Sequence, residues 1–331
     1  MNVLKSSFIA VLLLIAGLVP QQSAQESPEL KEATTLTESV MQLAKEGKLD
    51  EALSLAKRAL EIRERLLPPT DPLVAQSLSY VGDLHIAKRD YGPAKTILQR
   101  LLQLQQERFG PDDVNLGRIH ERLGFVYLSD GNVGKAEEEY KLALQLKEKK
   151  FGPESLEVAD PLVGLATVYR ARDNFRQGAP LFKRALSIYG KHSGVNSPAF
   201  DQTSLGFTCL AHETGNREAT KEIDEIWKQF APAGSTSQSP YTQFLNTKAL
   251  SLPKPDYPQE ARARRVSGTV IMKVKIDEKG QVIDARDMCQ GSPYLSPGAL
   301  ASVWKARFAP TLINDKPVKV DGIVTYRFVA Q

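Results

Sequence analysis

A period of 42 residues runs through the first two thirds of the chain. Phe109-Gly110-Pro111 returns as Phe151-Gly152-Pro153, and Gly194 continues the glycine series. Ala52, Ala94, Ala136 and Gly178 share the spacing, as do Ala59, Leu101, Ala143 and Ala185. Tyr127 pairs with Tyr169 in the same way, and Tyr140 with Phe182. Self-similarity at a fixed period is the mark of stacked repeats, in which one supersecondary unit buries its apolar face only against the next.

Each period reads as helix, short polar turn, helix. The turns fall at Glu46-Gly47-Lys48, Lys88-Arg89-Asp90, Ser129-Asp130-Gly131 and Arg172-Asp173-Asn174. Second helices such as Ala136 to Lys150 are rich in Ala, Leu, Glu and Lys, which are good helix formers. The Phe-Gly-Pro segments stop them, with glycine just past the end and proline beyond it. Small residues at one position let the partner helix approach closely, and large residues a turn away fill the gap.

Leu123-Gly124 with Tyr127, followed by Ala136, Tyr140 and Ala143, resembles the tetratricopeptide repeat in its long, 42-residue, kinesin-light-chain form. Four repeats start near Thr34, Gln76, Arg118 and Asp160, and a degenerate fifth from near Gln202 reads as a cap. The resemblance implies protein–protein binding on the concave face formed by the first helices. The family's groove positions carry over to Asp83, Arg118, Glu121, Phe125, Arg170 and His212. Ordinary solvated surface residues would present the same types, and the mixed signs set no preference for an acidic or a basic ligand.

The period changes after a stretch rich in Ala, Pro, Gly, Ser, Thr and Gln from Ala231 to Pro240, which reads as a flexible joint. Tyr241 to Leu252 is open to a short helix docking on the last repeat. From Thr269 to Asp277 the even positions Val270, Met272, Val274 and Ile276 are apolar, and Lys273 and Lys275 between them are charged. That alternation predicts a half-buried strand. A hairpin through Asp277-Glu278-Lys279-Gly280 leads to a second strand from about Gln281 to Met288. A helix from about Ser296 to Phe308 follows, with Leu300, Val303, Trp304 and Phe308 expected on one face. The last strand is expected from Pro317 to Val329, with a bulge or a close backbone approach at Gly322.

Pro255-Asp256-Tyr257-Pro258, Gly268-Thr269-Val270, Gly280-Gln281-Val282, Arg307-Phe308-Ala309-Pro310 and Tyr326-Arg327-Phe328 follow one another as in the TonB C-terminal domain, which this segment resembles. The chain is therefore expected to be multi-domain: an all-α tetratricopeptide-repeat solenoid over residues 30–230, a linker over 231–250, and a small α+β TonB-like C-terminal domain over 251–331. In that family the domain captures a short segment on the periplasmic side of TonB-dependent outer-membrane transporters. The physical mode is strand addition to an exposed sheet edge. The terminal strand is the candidate edge, with Val318, Val320, Val324, Tyr326 and Phe328 as partner-binding positions. The competing reading makes this strand central, or covered by its own chain.

Residues 1–24 carry an address. Lys5 precedes a twelve-residue apolar run from Phe8 to Val19, ended by Pro20. Signal-peptide cores span about 7–15 residues and membrane helices about 20. A cleaved signal peptide and a periplasmic protein are expected. The alternative is a short uncleaved anchor on the periplasmic side of the inner membrane. Energy-transducing relatives have a spanning helix and a proline-rich spacer, where this chain has a short apolar run and repeats. Two functions stay open: a periplasmic interaction adaptor, and a membrane-tethered TonB-like energy transducer with the repeats as spacer.

Composition narrows the rest. The net charge is only +4, which argues against a nucleic-acid partner. Residues 248–331 hold 14 Lys plus Arg against 8 Asp plus Glu, a net of +6, which leaves the remainder at −2. The two cysteines, Cys209 and Cys289, exclude a four-cysteine zinc site. They could pair in an oxidising compartment, but lying in different regions they are expected to be free thiols. His120-Glu121 and His212-Glu213 lack the second histidine of a zinc-protease helix, and there is neither a phosphate loop nor a nucleophile elbow. No enzymatic activity and no cofactor are expected. Protein partners are expected, with the oligomeric state left open.

Overall fold

A computed structural model describes residues 27–231, 249–289, 292–313 and 315–330. The Phe8–Val19 run and nearly all of the expected linker lie outside the described residues. The chain divides into two compact units, residues 1–153 and 154–331.

The first unit holds helices α1 (Pro28–Lys45), α2 (Leu49–Leu66), α3 (Pro72–Ala87), α4 (Tyr91–Phe109), α5 (Asn115–Ser129) and α6 (Val133–Phe151). Consecutive helices pack on one another. Polar side chains start several of them: the Ser27 hydroxyl accepts from the Leu30 amide, Asp71 from Leu73 and Asn132 from Lys135. Each bond satisfies an amide that the first turn of a helix leaves without a partner.

The repeat spacing has a steric content. A Cβ on Gly82 would meet Leu98 at 3.1 Å, and one on Gly124 would meet Tyr140 at 2.9 Å. Leu98, Tyr140 and, in the second unit, Phe182 stand 42 residues apart and are all buried. Gly82 and Gly124 thus receive the large residue from the second helix of the same repeat, whereas Phe182 lies against Gly206 on the first helix of the next.

The turns share another register. Gly47, Arg89, Gly131, Asp173 and Gly215 are spaced by 42 and all have positive φ, between 53° and 79°. A left-handed residue lets the chain reverse between the two helices in a few residues, and glycine takes that conformation without a Cβ clash. Arg89 and Asp173 hold it at a cost.

The second unit continues with α7 (Ala159–Arg170), α8 (Phe175–Ser193), α9 (Pro198–Glu213) and α10 (Thr220–Phe230). The eleven-residue α10 is shorter than the second helices before it. Phe182 stacks on Phe207, with 6.1 Å between ring centroids, and Phe200 meets Trp227 edge-on.

The same unit contains β1 (Ala249–Ser251), α11 (Gln259–Ala263), β2 (Gly268–Ile276), β3 (Val282–Asp287), α12 (Ser296–Val303), β4 (Arg307–Phe308), β5 (Thr311–Ile313), β6 (Lys316–Val318) and β7 (Val320–Phe328). The main sheet is antiparallel in the order β3-β2-β7. β1 pairs with β4, and β5 with β6. One sheet face carries Val270, Met272, Val274, Ile276, Val324, Tyr326 and Phe328, packed against Leu295, Ala299, Val303 and Ala306. The Asp277 carboxylate accepts the amides of Lys279 and Gln281 and closes the β2–β3 turn. Gly280 is required there: its φ is +79°, and a Cβ would lie 1.8 Å from the Phe308 carbonyl oxygen.

Four expectations are corrected. Residues 249–251 form a strand, because β4 offers them a backbone ladder. Leu300 and Trp304 are exposed; α12 buries Ala299 and Val303, which lie four residues apart on the face turned to the sheet. The β2–β7 ladder runs unbroken from Gly268↔Phe328 to Ile276↔Val320, so Gly322 sits in register opposite Val274, and the irregularity falls between Lys275 and Ile276 on the β3 side. The fourth correction is covalent. Cys209 and Cys289 are joined by a disulfide.

Arg89→Gly is expected to raise the free energy of unfolding by up to about 1 kcal/mol, because it removes a left-handed non-glycine residue. Gly131→Ala should lower it by about as much. Urea denaturation measures both, and equal midpoints for the two variants would refute the strain.

Candidate partner-binding sites

In the first unit the expected groove residues are tightly engaged. Arg122, on the same helix as Arg118, donates to the Asp83 carboxylate at 2.7 Å and to the Ser79 hydroxyl at 2.7 Å. Asp83 is buried; burial pushes its carboxyl above the usual range, and the guanidinium groups of Arg122 and Arg118 counter part of that. Its side chain is therefore an internal partner for arginine rather than an open ligand contact. Glu121 accepts from the Lys147 ammonium at 2.5 Å. Phe125 meets Tyr91 edge-on, with 6.3 Å between centroids. His120, the first residue of the truncated zinc-protease pattern, bonds Glu139 at 2.6 Å.

In the second unit, α7 and α9 bring Arg170 to Glu213. The guanidinium donates twice to the carboxylate, at 2.7 and 2.8 Å, and once to the carbonyl oxygen of Cys289 at 3.0 Å. Cys289 follows β3, so a residue expected to bind a foreign partner binds the chain's own C-terminal segment. His212, also expected to be a surface contact, is buried.

Around that contact lies a second apolar cluster: Cys209, Ile271, Met288, Cys289 and Ile323, with Leu205 against it. Ile271 and Ile323 stand on the sheet face opposite the main core. They are odd positions in strands whose odd positions are otherwise mostly polar, and both are fully buried. Each contributes on the order of 2 kcal/mol when shielded from water. The Met288 amide donates to the Ile271 carbonyl at 2.7 Å, and the Cys289 amide to the Asp287 carboxylate at 3.1 Å, which holds the segment beside the sheet. The disulfide closes a loop of 80 residues and is worth roughly 4–5 kcal/mol in the chain-entropy description. Two isoleucines out of phase with their strands were the only sequence signal for this second face.

The last strand divides its own candidates. Val318, in β6, and Val320 are half-buried. Val324, Tyr326 and Phe328 are buried in the core of their own domain, because even positions all point to the α12 side. Their side chains cannot serve a partner, which corrects the expectation for them. The backbone is another matter: β7 pairs with β2 on one side, and no described strand pairs with the other. The Tyr326 phenol has no hydrogen-bond partner among the described residues, and burial pushes its pKa up to about 12.

Residues 253–330 match the family model described as the Gram-negative bacterial TonB protein C-terminal, and residues 31–107 and 115–191 match that of the tetratricopeptide repeat. The chain carries tetratricopeptide repeats and a TonB-type C-terminal domain. Among solved structures it is similar to a kinesin-light-chain protein of Podosopora anserina with nearly identical repeats, at 16% identity and a TM-score of 0.52, covering 62% of this chain and 97% of that one. BtubC of P. vanneervenii is similar at 18% identity and a TM-score of 0.50, covering 65% and 98%. These likenesses concern the repeat fold alone. No curated protein matches the chain. No helix among the described residues is long and apolar enough to cross a membrane.

Arg122→Met should destabilise the protein by about 3–5 kcal/mol, since it strands a buried carboxylate, and adding Asp83→Leu should restore much of the loss. Urea denaturation of the single and double variants measures the coupling. Tyr326→Phe should leave stability unchanged or raise it by about 1 kcal/mol, because it removes a buried hydroxyl without a partner. A clear loss of stability in a thermal melt would show that the hydroxyl is satisfied.

Proposed function

We propose that this chain is an exported, periplasmic protein–protein interaction adaptor. The repeats hold one protein, and the TonB-type domain captures another by strand addition, with a TonB-dependent outer-membrane transporter as the partner. The second side of β7, which no described strand pairs, carries this reading. An extended peptide laid along it would gain main-chain hydrogen bonds, and the burial of Val324, Tyr326 and Phe328 would leave the backbone as the recognition element. Export is supported by the Cys209–Cys289 bond, because disulfides persist in oxidising compartments and are rare in the cytosol. It agrees with the short apolar run ended by Pro20.

Labelled peptides spanning the periplasmic N-terminal segments of TonB-dependent transporters test the capture by fluorescence anisotropy on the full chain. Saturable binding is expected, and it should vanish when alternate peptide amides are N-methylated, which removes donors and leaves side chains intact. Binding that survives N-methylation would rule out strand addition, and no binding by any such peptide would rule out the transporter. Sequencing the native N-terminus tests export. A start near Gln25 in the soluble envelope fraction is the expected result, whereas an intact Met1 in the inner-membrane fraction would favour a tethered transducer with the repeats as spacer.

A further inference from the structure

We propose that the face of α7 and α9 carrying Arg170, Cys209 and Glu213 is the dock of the chain's own C-terminal domain, and that the Cys209–Cys289 bond is a redox latch holding the domain there. The proposal rests on the reading of export in one respect only, that an oxidising compartment forms the bond.

The dock is built from both sides. On α9, Cys209, His212 and Glu213 are separated by three and four residues and so share one helix face. Arg170 of α7 joins Glu213 to the Cys289 carbonyl. On the domain, Ile271 and Ile323 present the face that α12 does not cover, and Met288 packs with them against the cysteines and Leu205 of α9. One of the positions expected to meet a foreign partner, Arg170, is thus taken up by this dock, and His212 beside it is buried. A partner that used Arg170 would have to displace the domain first.

Among the described residues the non-covalent part comprises the side chains of Leu205, Ile271, Met288 and Ile323 and one charged hydrogen bond, from Arg170 to the Cys289 carbonyl. Stable protein interfaces bury about 1,200–2,000 Å². A contact as limited as this one persists when the two pieces are held at high effective concentration, which the covalent bond does. Opening requires a dithiol reductant of the thioredoxin class. Its thiolate attacks the sulfur of Cys289, which is 9% exposed against 1% for Cys209. Cys209 leaves as a thiolate and takes up a proton. The second thiol of the reductant then attacks the mixed disulfide, frees Cys289 as a thiol, and leaves the reductant as a disulfide. Two electrons pass to the protein, and no other bond changes. Release uncovers Arg170 and the Ile271–Ile323 patch.

The test uses the full chain with a specific protease site placed within residues 232–248. After cleavage, gel filtration and native mass spectrometry are run with and without dithiothreitol. The pieces are expected to remain one species when oxidised and to separate when reduced, with alkylation confirming two free thiols. Separation without reductant would overturn the proposal, because the bond would be absent. Continued association with both thiols alkylated would overturn it too, because the contact would then hold without a latch. The Cys209→Ser, Cys289→Ser double variant should separate on cleavage alone; if it fails to fold, the reduced wild-type protein gives the decision. None of these readings depends on peptide capture, so the latch and the capture of a transporter fail separately.

Discussion

The helical part of the molecule depends on a close approach that only a very small residue permits. Gly82 against Leu98 and Gly124 against Tyr140 are the same contact one period apart, and a Cβ at either glycine would press into the neighbouring side chain. Interiors are packed to near-crystal density, so an added methyl group has nowhere to go. The large residue is also the wedge that sets the helix spacing. The left-handed turn residue at every forty-second position from Gly47 to Gly215 then returns the chain in time to repeat the contact. Arg89 and Asp173 show that the demand comes from the geometry of the reversal, since the backbone takes the same form with the less suitable residue.

The C-terminal domain is held by two apolar faces of unequal size. The larger one, around Met272 and Val324, makes the domain fold. The smaller one, at Ile271 and Ile323, attaches it to α9 with the help of a covalent bond. A sheet with both faces covered has its edges left as the part open to a newcomer. That is why the backbone of β7, rather than its side chains, is the surface on which the functional reading stands.

Legibility in the sequence followed the range of the interaction. The turn positions were readable because each is decided within a few residues. The Asp277–Gly280 hairpin was readable for the same reason. The inward face of β2 was readable from alternation alone. Helical spacing identifies an apolar stripe through Leu300 and Trp304 but not which face meets the sheet; in α12 the buried positions are Ala299 and Val303. Among the groove candidates, Asp83 has the right type and register for a ligand contact, yet its charge answers Arg122. A carboxylate and a guanidinium 39 residues apart give no local sign that they will meet.

The sequence by itself determined the repeat period, the two kinds of domain and their order, because each of these rests on spacings that sterics and burial impose within one helix pair or one hairpin. Only the tertiary structure decided that Cys209 and Cys289 meet, that Arg170 turns to the Cys289 carbonyl, and that no described strand pairs the second side of β7. The physical reason is that these features require parts of the chain many tens of residues apart to be brought face to face. The two out-of-phase isoleucines mark that a second face exists, but its occupant depends on how the domain lies against α9.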